Sequence, residues 1–156
     1  MSAIEVFQTD PIKALGLQEP VTIGQEATVG QALEKVQQTG KGYVLVLDPD
    51  RKPAGFMTER EVLMKIVARD IKYDDNIGQY MGPPPRCLTE METIATAVRL
   101  MAETGDQNIP IVDGAGRAVT VLRTLDIVHF LAEAFPAQVL NMPPDSHQLM
   151  PKEEGG

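Results

Sequence analysis

Two stretches of this chain decide its fold: Asp48–Val62, DPDRKPAGFMTEREV, and Asn108–Ile127, NIPIVDGAGRAVTVLRTLDI. Each holds an aspartate-led turn, a short apolar strand and a polar turn that opens a helix. With Asp48 placed on Asp113 the two share a register offset of 65 residues. The offset runs without a gap from about Thr22 to Val67. It pairs Thr28 with Thr93, Ala32 with Ala97, Thr39 with Thr104 and Gly40 with Gly105. Apolar positions keep their places too: Val29/Ile94, Leu33/Val98, Val36/Met101, Val46/Ile111, Leu47/Val112 and Val62/Ile127. Register kept through two helices and two strands marks an internal repeat.

Each copy reads as strand, helix, strand, strand, helix. In the first, Val29, Ala32, Leu33 and Val36 make an apolar helix face. Thr28 and Gln31 have capping-box spacing, and Gly40 suits a helix end. Tyr43–Leu47 is an apolar run of strand length, expected to be covered on both faces. A turn at Asp48–Lys52, a strand at Ala54–Met57 and a helix from Glu59 to about Ala68 follow, with Val62, Leu63, Ile66 and Val67 facing the core. The second copy repeats this. Ile94, Ala97, Val98 and Met101 face inward from its first helix, which ends at Gly105; Ile127, Val128, Phe130 and Leu131 do so from its last.

The chain divides into an arm with a short helix (1–19), a first repeat (20–75), a linker with a second repeat (76–135) and a polar, Pro-rich tail (136–156). In the arm, Asp10 and Pro11 open a short helix that Gly16 ends. Pro83–Pro85 make the linker extended and semi-rigid.

These residues, with Tyr80-Met81 and the small and proline residues after it, resemble the cystathionine β-synthase (CBS) domain family in its tandem arrangement, the Bateman module. The resemblance covers roughly residues 20–135. It implies an α/β (α+β) fold: two β-α-β-β-α repeats packed sheet to sheet about a pseudo-twofold axis. It implies two clefts between the repeats that take adenosine-containing ligands: AMP, ADP, ATP or S-adenosylmethionine. It further implies a disc-like homodimer acting as a regulatory sensor for another protein. With no partner domain in the chain, a stand-alone module is expected.

The inventory fits a non-catalytic role. The only serines are Ser2 and Ser146, the only histidines His129 and His147, and the only cysteine is Cys87. That leaves no core Ser-His-Asp triad, no Cys/His zinc set and no intrachain disulfide. A metal site, a required cofactor and enzyme activity are not expected. The net charge of −8 and an aromatic content of 4% argue against nucleic acid. The start lacks a secretory pattern, and no apolar run nears the roughly 18 residues of a membrane span, so a cytoplasmic protein is expected. His129 is placed at an interface or core edge, Cys87 in a buried strand opening, and Met57, Met64, Met81, Met91 and Met101 as filler.

By the family pattern Thr58 would bond a phosphate and Glu61, where the family prefers Asp, the ribose. Thr58-x-x-Glu61 is equally a ligand-free capping box. In the second copy Asp126 matches the ribose carboxylate, while Arg123 stands at the hydroxyl position. Arg123 could hold phosphate bidentately, pair with Asp126 along the helix, or simply be solvated. Thr120 replaces a glycine (Gly55 in the first copy) and is expected to crowd the cleft. The adenine slot would draw on Ile23, Tyr43, Val44 and Met57, matched by Leu88, Asn108, Ile109 and Leu122, with Pro110 beside them. Core is the alternative for most of these. Tyr43 and Asn108 stand out for polar tips that a core strand does not need. Gly42 allows close backbone approach. A polyanion entering an acidic chain needs local cations, and Arg60, Arg86, Arg117 and Arg123 are expected at the cleft edges. The alternative is an interaction module whose clefts have lost their ligands.

Overall fold

The computed structural model describes residues 3–81 and 83–135; the tail from 136 lies outside the described residues. In chain order the elements are α1 (Ala3–Thr9), a 3-10 turn (Ile12–Leu15), β1 (Thr22–Gly24), α2 (Val29–Thr39), β2 (Tyr43–Leu47), β3 (Pro53–Thr58) and α3 (Glu59–Arg69). A second 3-10 turn (Ile77–Gln79) leads to β4 (Leu88–Thr89), α4 (Ile94–Thr104), β5 (Asn108–Val112), β6 (Ala118–Arg123) and α5 (Thr124–Ala134).

Local chemistry sets these boundaries. Thr28 accepts the Gln31 N–H at 3.2 Å, and the Gln31 side chain accepts the Thr28 N–H at 3.0 Å, which closes the start of α2 reciprocally. Gly40 ends α2 with φ 66° and Gly105 ends α4 with φ 76°, a backbone that glycine adopts without cost. Asp48 accepts the N–H groups of Asp50 and Lys52, and Asp113 those of Ala115 and Arg117, so one carboxylate folds each hairpin turn.

Each repeat holds a three-stranded sheet, ordered β1-β2-β3 and β4-β5-β6, with the first pair parallel and the second antiparallel. A register shift falls after Val46 and after Ile111, the same place in both copies. Leu45 donates its N–H to the Val21 carbonyl at 2.8 Å. Its counterpart Pro110 has no N–H to give, and β4 is correspondingly two residues long where β1 has three. All of β2 is buried. Val121 of β6 is buried within the first repeat's core, and the Ala118 N–H bonds the Arg51 carbonyl at 2.9 Å. The two repeats therefore join through β6.

The helix faces are narrower than their apolar patterns suggest. Val62 and Ile127 are buried, but Leu63, Val98 and Val128 are exposed (64%, 38% and 52%). Leu63 and Val128 each follow the buried residue by one position, about 100° round the helix, beyond the strip that meets the sheet. Phe130 packs on the second core. The side chains of Ile66 and Val67 lie outside those described.

The opening segment does more than precede β1. Ile12 is 1% exposed, inside the second repeat's core. The Ile12 N–H bonds the Glu92 carbonyl at 2.8 Å and the Ile94 N–H bonds the Asp10 carbonyl at 3.1 Å. The segment before β4 does the same for the first repeat. Ile77 is fully buried there, its N–H bonds the Ala27 carbonyl at 2.9 Å, and the Val29 N–H bonds the Asp75 carbonyl at 2.9 Å. Asp10/Asp75 and Ile12/Ile77 stand at the same 65-residue offset. Each repeat thus lends its leading strap to the other, against the start of the other's first helix.

Candidate functional site

Between the repeats lies a cleft of about 630 Å³. Lys41, Gly42, Phe56, Thr58, Glu59, Arg60, Glu61 and Met64 line it from the first repeat. Gly105, Asp106, Gln107, Asn108, Arg123, Thr124 and Leu125 line it from the second, and Pro85 from the linker. The strand-to-helix turns β3–α3 and β6–α5 both open into it. The Glu59 N–H bonds the Gly42 carbonyl at 3.2 Å, and the Thr124 N–H bonds the Gln107 carbonyl at 2.9 Å, so both turns are held the same way. Gly42 has φ 77°, which favours glycine at this wall.

The two helix starts differ chemically. At α3, Thr58 accepts the Glu61 N–H at 3.2 Å. Glu61 does not return a bond to the Thr58 backbone; its carboxylate lies 3.8 Å from the Lys65 ammonium. Only half of the capping box forms. Lys65 in turn donates to the Tyr80 carbonyl at 2.7 Å, which anchors the linker to α3. At α5, both Asp126 oxygens serve Arg123: one accepts its backbone N–H at 2.9 Å, the other its guanidinium at 3.1 Å. Of the three readings of Arg123, the structure shows the pairing along the helix.

Of the residues read from the sequence, Gly42, Thr58, Arg60, Glu61, Asn108 and Arg123 come together in the cleft wall. The proposed adenine slot is placed otherwise. Tyr43, Val44, Met57, Leu88, Ile109, Pro110 and Leu122 are buried in the sheets, and Ile23 packs half-buried on the first core. Tyr43 puts its polar tip to structural use: its hydroxyl accepts the Val21 N–H at 3.2 Å, and its ring stacks on Phe56 with centroids 5.3 Å apart. Burial pushes the Tyr43 hydroxyl's pKa upward. Asp126 is not among the lining residues; its carboxylate is bonded to Arg123.

The expectations for Thr120, Arg117 and Arg86 are corrected. Thr120 does not crowd the cleft; its hydroxyl donates to the Gln18 carbonyl at 2.5 Å, binding the opening strap. Arg117 lies in a separate depression with Pro49, Asp50, Arg51 and Lys52, bonded to Asp113 at 3.3 Å, and Arg86 is not among the lining residues. His129 is exposed on α5. Cys87 is half-buried, its thiol donates to the Pro85 carbonyl at 3.5 Å, and burial raises its pKa. Met57 is core and Met81 packs against it, but Met64 and Met91 are exposed. The sequence reading missed Lys41, Phe56, Glu59, Met64, Pro85, Gly105, Asp106, Gln107, Thr124 and Leu125 of the wall. A usable signal was there: all but Pro85 flank the residues that were found, within three positions along the chain.

Among the described residues no group of three His, Cys, Asp or Glu side chains is placed to hold a metal, and no helix is long and apolar enough to cross a membrane.

Paired repeats of this topology around one cleft define a tandem repeat module. The family model for the CBS domain matches residues 12–68 and again 77–133, and the chain belongs to the CBS-domain family as a tandem pair. The two matches are themselves 65 residues apart and each begins at a strap isoleucine. An uncharacterized protein of Methanopyrus kandleri is 28% identical over 109 residues, 69% of this chain and 56% of that protein. The chain therefore aligns with little more than half of that relative's length. Solved structures share the fold. A CBS domain protein of Pyrobaculum aerophilum complexed with AMP is 20% identical with a TM-score of 0.69, covering 79% of this chain and 98% of that one. The CBS domain pair of protein MJ0100, in complex with 5′-methylthioadenosine and S-adenosylmethionine, is 20% identical with a TM-score of 0.70, covering 78% and 98%.

Proposed function

We propose that this chain is a non-catalytic regulatory module that binds an adenosine-containing ligand in the cleft between its two repeats. The observation that carries this is the convergence of both strand-to-helix turns, at Thr58 and Arg123, on one cleft. The N-termini of α3 and α5 there favour negative or electron-rich groups. The adenosine ligands of the Pyrobaculum protein and of the MJ0100 pair support the ligand class. No nucleophile–base pair is needed. A ligand touching both repeats favours one relative arrangement of them, which a regulated partner protein in the cytoplasm reads.

Melting curves with AMP, ADP, ATP and S-adenosylmethionine test this. A ligand at 100 times its dissociation constant adds about 2.7 kcal/mol, roughly 5–10 °C for a chain of this size. A flat response across the panel at millimolar concentrations rejects the reading. A ligand-free interaction module is the second reading, and one observation favours it: both Asp126 oxygens are already engaged.

The module is further proposed to be a homodimer. Leu63 and Met64 on α3, with Leu125 and Val128 on α5, are exposed to a degree unusual for such large apolar side chains (64%, 60%, 49% and 52%). Sedimentation at micromolar concentration should give twice the chain mass, and Leu63→Glu with Val128→Glu should return it to one. A monomeric parent chain would refute the dimer.

A further inference from the structure

The depression between the two hairpin turns lies on the boundary between the repeats. Pro49, Asp50, Arg51 and Lys52 line it from the first repeat, Ala115 and Arg117 from the second, around about 590 Å³ of space wide open to solvent. The turns meet there, where the Ala118 N–H bonds the Arg51 carbonyl at 2.9 Å. Arg51 holds its place at a conformational cost. Its φ is 65°, a left-handed backbone that disfavours any residue with a Cβ, while the matching position of the second turn is Gly116 at φ 83°. Both residues close their turns alike, donating their N–H at 3.0 Å to the carbonyls of Asp48 and Asp113. The turn itself therefore has no need of an arginine. Neither the Arg51 guanidinium nor the Lys52 ammonium has a hydrogen bond or ion pair with a described residue. Arg117 gives its Nε to Asp113 at 3.3 Å, and its two terminal nitrogens have no described partner. Asp48 and Asp113 are each engaged by two backbone N–H groups of their own turn, which leaves Asp50 as the carboxylate among the lining residues.

We propose that this depression is a docking surface for a short acidic segment of a partner protein. A small basic patch on a chain of net charge −8 attracts a few carboxylates locally, while the rest of the surface repels a long polyanion. The depression is too open to enclose a small molecule, whose pockets cover most of its surface. A segment laid across both turns meets Arg51, Lys52 and Arg117 together. The surface is also placed to respond to the cleft. β3 begins beside Lys52 and ends at Thr58, and β6 begins beside Arg117 and ends at Arg123. Two strands of six residues, about 20 Å long, thus run from the depression to the cleft wall. A segment held by both turns bridges the repeats, so its grip depends on their relative arrangement. Docking itself needs no ligand in the cleft.

Titration of the isotope-labelled full chain with hexaglutamate at low ionic strength, followed by NMR with hexaglutamine as the neutral control, tests this. Hexaglutamate should shift the amides of Arg51, Lys52, Ala115 and Arg117, and hexaglutamine should not. The double variant Arg51→Gly, Lys52→Gln should bind hexaglutamate about fivefold more weakly, the loss expected for two exposed charge pairs. Its melting temperature should stay level or rise, because glycine takes the positive φ without cost. No shift at these amides, equal shifts with hexaglutamine, or unchanged affinity in the double variant would overturn the proposal. A lower melting temperature would assign Arg51 to the fold and overturn it too. So would a single-stranded oligonucleotide that moves the same amides and binds more tightly than hexaglutamate.

Discussion

Replacing Ile12 by Ala is expected to destabilise the whole chain by about 2–5 kcal/mol, the range for truncating a fully buried isoleucine. The side chain is 1% exposed, among Leu88, Ile94, Ala97, Ile109, Ile111, Leu122 and Ile127. A cavity there has rigid walls, because the strap is tied by backbone bonds on both sides of the residue, at Asp10 and at Lys13. Ile77→Ala should cost a similar amount for the same reason, and Lys13→Ala, an exposed neighbour, less than about 0.5 kcal/mol. Urea unfolding followed by circular dichroism reads all three. A cost below 1 kcal/mol for Ile12→Ala would mean that the opening strap is an appendage.

The second large effect is expected at Gly55. This position in β3 is buried, and an added Cβ would overlap the Met81 side chain of the linker. Met81 can swing aside for a methyl group but not for a branched side chain, because Lys65 holds the Tyr80 carbonyl beside it. Gly55→Val should therefore cost about 1–3 kcal/mol by overpacking, in spite of valine's better strand propensity. Met81→Ala in the same chain should recover most of that loss. Unfolding curves of the two single variants and the double close the cycle, and additive costs would show that linker and strand do not touch. Thr120, the matching position in β6, already carries a branched side chain because what covers it is a backbone carbonyl, that of Gln18.

Much of this architecture was legible in the sequence. The offset carried by Gly40/Gly105 and Asp48/Asp113 placed both copies, and the caps at Thr28 and Gly40 are where the residue types put them. Periodicity was less informative about Leu63, Val98 and Val128, since it reports which residues are apolar and not how wide a strip the sheet covers. The straps were hidden for another reason. Asp10/Asp75 and Ile12/Ile77 obey the same offset, yet each packs in the other repeat, so a reading that looks for a segment's partners nearby assigns the arm to nothing. At the cleft, Thr58, Arg60, Glu61, Asn108 and Arg123 were legible because turn chemistry marks them. The adenine slot was not, because strand residues such as Val44 and Leu122 read alike whether they face a ligand or a core. Nor could spacing alone decide whether Asp126 serves a ribose or the neighbouring Arg123.

The exchange of straps also bears on how the chain matures on the ribosome. Residues 71–80 emerge directly after the helix and sheet they cover, so the first repeat's strap can dock while the second repeat is still being made, and Val121 joins that core later. Ile12 is synthesised well over a hundred residues ahead of Ile127, yet its pocket is completed only by that residue. At roughly 5–20 residues per second, the amino-terminal segment waits several seconds with its isoleucine uncovered. The second repeat is then the one that must recapture a segment translated ahead of the first.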